Sequence, residues 1–494
     1  MTMPATDTQS AVVALVDRAV RLTANGPLAG EAAAVRERLD GPLRVAIAGR
    51  VKAGKSTLLN ALVGERLAPT DAGECTRLVS TYHEGLGYAV LAVMRDGSTR
   101  PLTFRRSEGA LEIELDGQDI AAVDRLDVAW PASTLHRMTL IDTPGLASIN
   151  DENSVRTREF LALGEDRSSD ADAVIYLMRH LHRTDADFLD AFLDRSVGNV
   201  SPVNALAILS RADEIGAGRL DAMESAKRIA ERYRTDEDLR AVCGTVVPMA
   251  GLLAETGQTL REEEAAALRT LAALPEDAFE SLSLSADRFA DPAVDAVGVE
   301  MRRQLLARLG MFGVRLALTE MRAGRVTTAS GLATLLIEAS GLQELRRLLA
   351  EHFMPRAQQL KARSAVGAVR RLARRLAATD SEGAKELDAE AERIEASARE
   401  FAELRLAHLA LSRAIRLTQE ETDEITRLTG PGAPARRLGL DDQADGSAVT
   451  AAALSGIERW RGRAEDPLSD RLLVEAAEIV VRSYEGIYAG TRAA

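Results

Sequence analysis

Gly49-Arg50-Val51-Lys52-Ala53-Gly54-Lys55-Ser56-Thr57 is the stretch that decides how this chain is read. An apolar strand, Leu43 to Ala48 (L-R-V-A-I-A), runs into it, and an apolar helix beginning L-L-N-A-L-V leaves it. That is the strand–loop–helix setting in which the pattern G-x-x-x-x-G-K-[ST] binds phosphate. The spacing has a physical reason. Backbone N–H groups from Gly49 through Lys52, Ala53 and Gly54 to Lys55 can curl around a β-phosphate only where glycine permits unusual backbone angles. Lys55 then supplies a point charge to the β/γ-phosphates, and Ser56 can place its hydroxyl on a magnesium ion. Thr57 follows in the first turn of the helix, whose positive dipole end faces the same anion.

A second apolar strand, Met138 to Asp142, ends in Asp142-Thr143-Pro144-Gly145. An acid at the end of a strand beside the phosphate loop can hold magnesium through water, and the Gly145 N–H can sense a γ-phosphate. Between the two motifs, the polar run Pro69 to Thr76 offers Thr76 as the threonine that completes the magnesium shell and holds the attacking water, with Thr70 as the alternative. A third strand, Asn204 to Leu209, delivers Ser210-Arg211-Ala212-Asp213. A carboxylate at Asp213 can accept from both N1–H and the 2-amino group of guanine, a pair adenine does not present. Arg211 can lie over the base with its flat cation. A fourth strand, Thr245 to Met249, leads to Ala250-Gly251, where a base-contacting backbone N–H is expected at Ala250.

On these residues the chain resembles the bacterial dynamin-like GTPases, most closely their isoniazid-inducible actinobacterial branch. The resemblance is carried by the phosphate loop and the helix after it, by A-P-T-D-A-x-E-C-T-R, by Trp130-Pro131 before M-T-L-I-D-T-P-G-L, and by L-S-R-A-D-E-I-G at Leu209 to Gly216. It extends through Arg308-Leu309-Gly310-Met311-Phe312-Gly313 and fades in the C-terminal part. It implies a GTP-hydrolysing head on a helical stalk, with Mg2+, that acts at membranes through nucleotide-dependent association of heads, with a second copy or a related chain. In that family the position of Lys52 often carries a serine that helps coordinate a monovalent cation. The Lys52 ammonium could take that cation's place in catalysis, reach a partner head, or point to solvent. The slot after D-T-P-G is Leu146, not glutamine, so hydrolysis is expected to depend on a group from elsewhere, such as a partner's loop.

Composition sets outer bounds. With 494 residues and 46% hydrophobic side chains the chain can bury more than one core, and with 3% aromatics those cores must be built from Leu, Ala, Val and Ile. Cys75 and Cys243 have no metal-ligand spacing and fit a reducing cytoplasm. Met1 to Ser10 reads as a flexible polar tail and not a signal peptide, and no apolar run is long enough to span a bilayer. The net charge of −13 excludes nucleic acid as the main partner. A cytoplasmic protein, peripheral at most on the inner face of the membrane, is the expectation.

The fold class expected is an α/β P-loop GTPase domain, a mostly parallel sheet with an antiparallel extension, joined to an all-α bundle. Residues 1–40 form an N-terminal helical segment packing with the stalk, 41–299 the head, and 300–494 the helical bundle. Val12, Leu15, Ala19 and Leu22 give the first helix an apolar face. Arg95-Asp96-Gly97-Ser98 and Leu115-Asp116-Gly117-Gln118 read as hairpin turns within the extension. In the stalk, Phe353 to Ala378 carries Ala365, Val369, Leu372 and Leu376 on one side and Arg363, Arg370, Arg371, Arg374 and Arg375 on the other. Two readings follow: a hairpin in which the arginines face the acidic helix beyond Gly383, or an arginine face that docks on anionic lipid. Gly430 to Ser447 reads as a linker, after which Leu468, Leu472, Ile479 and Ile487 are expected to return alongside the N-terminal helix. Two other functions share the motifs: a GTP-dependent switch that recruits a protein partner without deforming lipid, and a P-loop ATPase in which Asp213 is irrelevant.

Overall fold

The computed structural model describes residues 5–68, 78–107, 110–115, 119–144, 171–180, 204–236, 239, 243–292, 296–411, 414–430 and 432–493. Its strands are β1 Leu43–Gly49, β2 Val79–Glu84, β3 Ala89–Met94, β4 Thr99–Pro101, β5 Phe104–Ser107, β6 Ala110–Ile113, β7 Val123–Trp130, β8 Met138–Asp142, β9 Ala173–Met178, β10 Ala205–Ser210 and β11 Val246–Met249. Nine of them form one sheet in the order β11-β10-β9-β1-β8-β2-β7-β3-β4, and β5 and β6 pair separately. From β11 through β8 every pairing is parallel; β2 then joins β8 antiparallel, and β3 runs antiparallel to both β7 and β4. This is the expected mixed sheet with its antiparallel extension. The Arg95–Ser98 turn closes β3 onto β4, with Met94 N–H donating to Ser98 O at 2.8 Å; of the second expected turn, residues 116–118 lie outside the described residues.

Alternation along β1 explains the layers. Ala46 and Ala48 face one core with helices Ala222–Thr235 and Glu262–Ala272, while Val45 and Ile47 face the other with Leu58, Leu59 and Leu62 of the helix Lys55–Val63. Every residue of β9 and β10 is buried, as strands covered on both faces must be. The head's cores do not stop at the compositional change near residue 300. Leu305, Leu309, Phe312 and Leu318 of helix Val299–Arg322 and Leu332 and Leu336 of helix Ala329–Ala339 belong to the first core, and Leu342, Leu345 and Leu348 to the second. Packing places these helices with the head, because their apolar faces join its cores, largely against helices Gly251–Thr259 and Glu262–Ala272.

Beyond them, helix Ala5–Thr23 buries Val12, Leu15, Val16 and Ala19 against Val366, Val369, Leu372 and Leu376 of helix Ala357–Leu376 and Leu387 and Ala391 of helix Ser381–Ser397. The N-terminal stretch is not a loose tail from Ala5 onward: Thr8 is buried and donates to Glu400 Oε2 at 2.8 Å. The last helical pair, Gly446–Glu465 and Arg471–Ala493, does not return alongside this helix. Ile479 and Ile487 pack instead with Leu406, Ile425, Leu428 and Trp460, and Leu468 and Leu472 are exposed. Within the expected linker, the short helix Pro434–Arg437 is anchored, with Ala435 buried and Arg437 Nε donating to Leu428 O at 2.7 Å, while most of the residues from 432 to 447 are exposed. No described helix is long and apolar enough to cross a membrane.

The arginine face of helix Ala357–Leu376 is turned into the bundle. Arg370 donates to Asp388 and Glu395, both at 3.1 Å, and Arg375 pairs with Glu31. Arg371 is buried, and burial reinforced by Arg374 and Arg38 pushes its guanidinium down to about 10. Burial also lowers Arg363, with Glu395 opposing. The lipid-facing reading of Arg363, Arg370, Arg371, Arg374 and Arg375 is corrected accordingly: of the five, Arg374 and Arg375 are exposed, and Arg375 is already paired.

Candidate functional site

The site forms where the carboxyl ends of three parallel strands meet. Register places Asp142 of β8 beside Ile47 and Leu177 of β9 beside Gly49, so the loop after β1 opens between its two neighbours, where α/β sheets bind ligands. Gly49 takes φ 146°, and a Cβ there would lie 2.4 Å from Leu177 O; no other residue lets the chain turn so close to β9. Gly54 takes φ 94° and caps helix Lys55–Val63. Between them Lys52 holds φ 61°, a left-handed angle that is uncommon outside glycine. Its side chain is exposed and makes no hydrogen bond or ion pair with the described residues.

Lys55 is buried, and its Nζ donates to Gly49 O and Arg50 O, both at 3.3 Å, which aims the ammonium across the loop. Ser56 Oγ donates to Asp142 Oδ2 at 2.7 Å. Burial pushes the Asp142 carboxyl up, opposed by Lys55 and Ser56, and pushes the Lys55 amine down, opposed by Asp142. Asp142 Oδ1 is buried with no hydrogen-bond partner among the described residues. An orphaned carboxylate oxygen costs about 1–3 kcal/mol, and here it lies next to a serine hydroxyl. Two hard oxygens beside a phosphate loop fit magnesium, which usually takes one or two protein oxygens and completes its shell with phosphate and water. Thr143 fixes the end of β8, donating through N–H and Oγ1 to Ile47 O at 3.3 and 3.0 Å. Thr70, Thr76, Gly145 and Leu146 lie outside the described residues.

At the other end, Asp213 sits in the short helical turn Ala212–Ala217, after Arg211 at φ 52°. The residue is 5% exposed, and burial pushes its carboxyl up to about 6. One cleft joins Ala53, Gly54 and Thr57 to Ser210, Arg211 and Asp213, with Leu177, Ile208 and Met249 in its lining. The structure thus brings the phosphate loop and the Asp213 turn onto a single cleft. Arg211 borders the cleft with its guanidinium on Glu214 at 2.7 Å. Ser210 Oγ donates to Met178 O at 3.1 Å and so ties β10 to β9.

Ala250 is corrected. Its N–H donates to Ser340 O at 2.9 Å and is not available to a base; Gly251 and Leu252, the first residues of helix Gly251–Thr259, line the cleft in its place. Sequence reading also missed Asn60. Its Oδ1 accepts from Leu67 N and Ala68 N at 2.9 and 2.7 Å, and its Nδ2 donates to Ala68 O at 3.1 Å. Asn60 therefore anchors the chain where it enters the Pro69–Thr76 run. The signal was a lone asparagine on the buried side of L-L-N-A-L-V.

Comparison with known proteins gives the following similarities. Residues 45–198 match the model of the dynamin family. The isoniazid-induced protein IniC of Mycobacterium tuberculosis is 39% identical over 461 residues, covering 92% of this chain and 91% of that protein. A bacterial dynamin-like protein of Nostoc punctiforme is 30% identical over 162 residues, 28% of this chain and 20% of its own. Among solved structures, one chain of an oligomerised bacterial dynamin pair, described as a mechanism for long-range sensing and tethering of membranes, aligns at a TM-score of 0.34 and 13% identity, covering 100% of this chain and 75% of that one.

Proposed function

We infer the function from the premise that this chain belongs to the IniC-like bacterial dynamin-like proteins: it is a GTPase that binds GTP with Mg2+ and hydrolyses it to GDP. The observation that carries this reading is the single cleft running from Gly54 to the buried carboxyl of Asp213. Asp213 accepts from N1–H and the 2-amino group of guanine, Arg211 covers the base, and the loop from Gly49 to Ser56 cradles the phosphates. Lys55 neutralises charge that develops on the β/γ oxygens, and its burial makes that charge count for more than it would in water. Ser56 and Asp142 would hold the magnesium, which when bound screens the phosphate oxygens. Thr76 is the residue we assign to holding the attacking water, and Gly145 to sensing the γ-phosphate. Lys52, exposed on a strained loop, is free to swing over the β–γ bridge and take the place of a cation there.

The finer reading, nucleotide-dependent association of heads at the cytoplasmic face of a membrane, comes from the family. The pairing of Arg370 and Arg375 within the bundle favours a second reading, a GTP-dependent switch that recruits a protein. Phosphate release from GTP and ATP, with Mg2+ or EDTA, tests the enzyme. Release from GTP alone, and only with Mg2+, is expected; equal release from ATP contradicts it. Flotation with anionic liposomes in the presence of a non-hydrolysable GTP analogue separates the membrane role from the switch.

A further inference from the structure

Helix Val299–Arg322 comes after the last strand of the head, yet it packs behind the Asp213 turn that lines the base end of the cleft. Its path breaks at Gly310, where φ is 64° and ψ 177°, a region of backbone space essentially confined to glycine. A Cβ at Gly310 would lie 3.2 Å from Asp213 Oδ2. The bare backbone at this kink is what leaves the Asp213 carboxylate its room. Leu309 and Phe312, both buried in the head's core, hold the kink on either side.

The same segment grips the loop that follows Asp213. Gly218, at φ 69°, approaches so closely that a Cβ would lie 3.0 Å from Phe312 N. Arg315 Nη1 donates to Ala217 O at 2.9 Å and to Gly218 O at 2.7 Å, while its Nε and Nη2 donate to Ser283 O and Leu284 O at 2.8 and 2.7 Å. One guanidinium thus ties the Asp213 loop to the end of helix Glu276–Leu284. On its other side the segment rests on the helix whose first residues line the cleft: Thr256 Oγ1 donates to Arg308 O at 2.7 Å, and a Cβ at Gly313 would meet Leu253 Cδ1 at 3.0 Å.

We propose that Gly310 and Arg315 are positioning residues for base recognition, Gly310 by giving the Asp213 carboxylate the space in which it meets the guanine edge and Arg315 by fixing the loop that carries it. This rests on the reading of Asp213 as the guanine-binding residue. A carboxylate that must accept two hydrogen bonds side by side tolerates little displacement, so the contact with the 2-amino group is the first lost when the wall behind it moves.

The test compares affinity for GTP with that for inosine triphosphate, which lacks the 2-amino group but keeps the phosphates, in wild type, Gly310→Ala and Arg315→Gln. Wild type should prefer GTP by about 10- to 100-fold, the effect of one hydrogen bond to a charged acceptor. In each variant the preference should fall to about threefold or less, with KM for GTP raised and kcat unchanged, a split that general loosening of the head would not give. Arg315→Gln carries the test should Gly310→Ala not fold. Folded variants that keep the wild-type preference overturn the proposal alone. A wild type that binds inosine triphosphate and ATP as tightly as GTP overturns the guanine reading and the proposal with it.

Discussion

At the phosphate end of the cleft, consecutive residues from Gly49 to Thr57 supply the loop, the lysine, the hydroxyl and the helix. At the base end the wall comes from Ser210, Arg211, Asp213 and Glu214 and from Met249, Gly251 and Leu252, with the kink at Gly310 lying behind Asp213 and Ser340 holding Ala250. The two ends meet in one cavity but are assembled by different means. A phosphate needs many weak donors in one curl of chain, which a local pattern can encode. A flat base needs a floor, a cover and an edge contact on three sides, and one stretch of chain cannot turn through all three.

If that contrast is right, the phosphate end should fail sharply on a single change. Lys55→Ala removes the buried cation of the loop, and turnover should fall by about 10³-fold, measured as phosphate release under saturating GTP. A loss below tenfold would mean that the loop's N–H groups carry the charge alone.

At the base end stability and function should pull apart. Burial raises the Asp213 carboxyl from its ordinary 3.8 to about 6, so the folded protein binds that proton more tightly than the unfolded chain. Stability is therefore lost as pH rises from about 4 to 6 and stays lost above that window. Asp213→Asn carries no such cost and should be more stable than wild type at pH 7.5 without nucleotide, by about 3 kcal/mol at most, with the gain vanishing below pH 4. Thermal melts across pH 4 to 8 check the sign, and a destabilised Asn variant would show that the carboxylate has a partner that offsets its burial.

Lys52 sharpens the phosphate side. Lys52→Ser should lower turnover by about 10²-fold or less and leave GTP affinity nearly unchanged, with potassium restoring part of the rate. An unchanged rate in cation-free buffer would leave Lys52 as a solvent-facing side chain on a strained turn. The smallest effect is expected far from the cleft. Arg370→Glu sets a carboxylate against Asp388 and Glu395 and should cost about 1–3 kcal/mol of stability, read from the melting of the helical bundle, while GTP turnover by the head is unaffected.

The same contrast explains what the sequence made legible. Gly49 to Thr57 and the D-T-P-G strand end could be read because each motif is short and ends a strand whose apolar run announces it; Asp213 could be read for the same reason. Ala250 was misassigned because its N–H is captured by Ser340, and nothing near Ala250 signals that bond. Gly310 was visible only as part of a resemblance, since a glycine inside an apolar helical pattern does not say what it lies against. In the stalk, charge alternation was correct as a pattern, but a periodic arginine face looks alike whether it meets an acidic helix or water. Arg370 resolves it through Asp388 and Glu395.

The central claim is that Asp213 reads guanine, and titration of wild type and Asp213→Asn with GTP, ATP and xanthosine triphosphate tests it most directly. Xanthine carries a carbonyl where guanine has its 2-amino group, so an amide at position 213 can donate where the carboxylate could only accept. Wild type should prefer GTP over both other nucleotides, and Asp213→Asn should lose GTP and gain xanthosine triphosphate, each by about 10-fold or more. Wild type binding ATP as tightly as GTP, or an Asn variant that keeps its GTP affinity, would contradict the account.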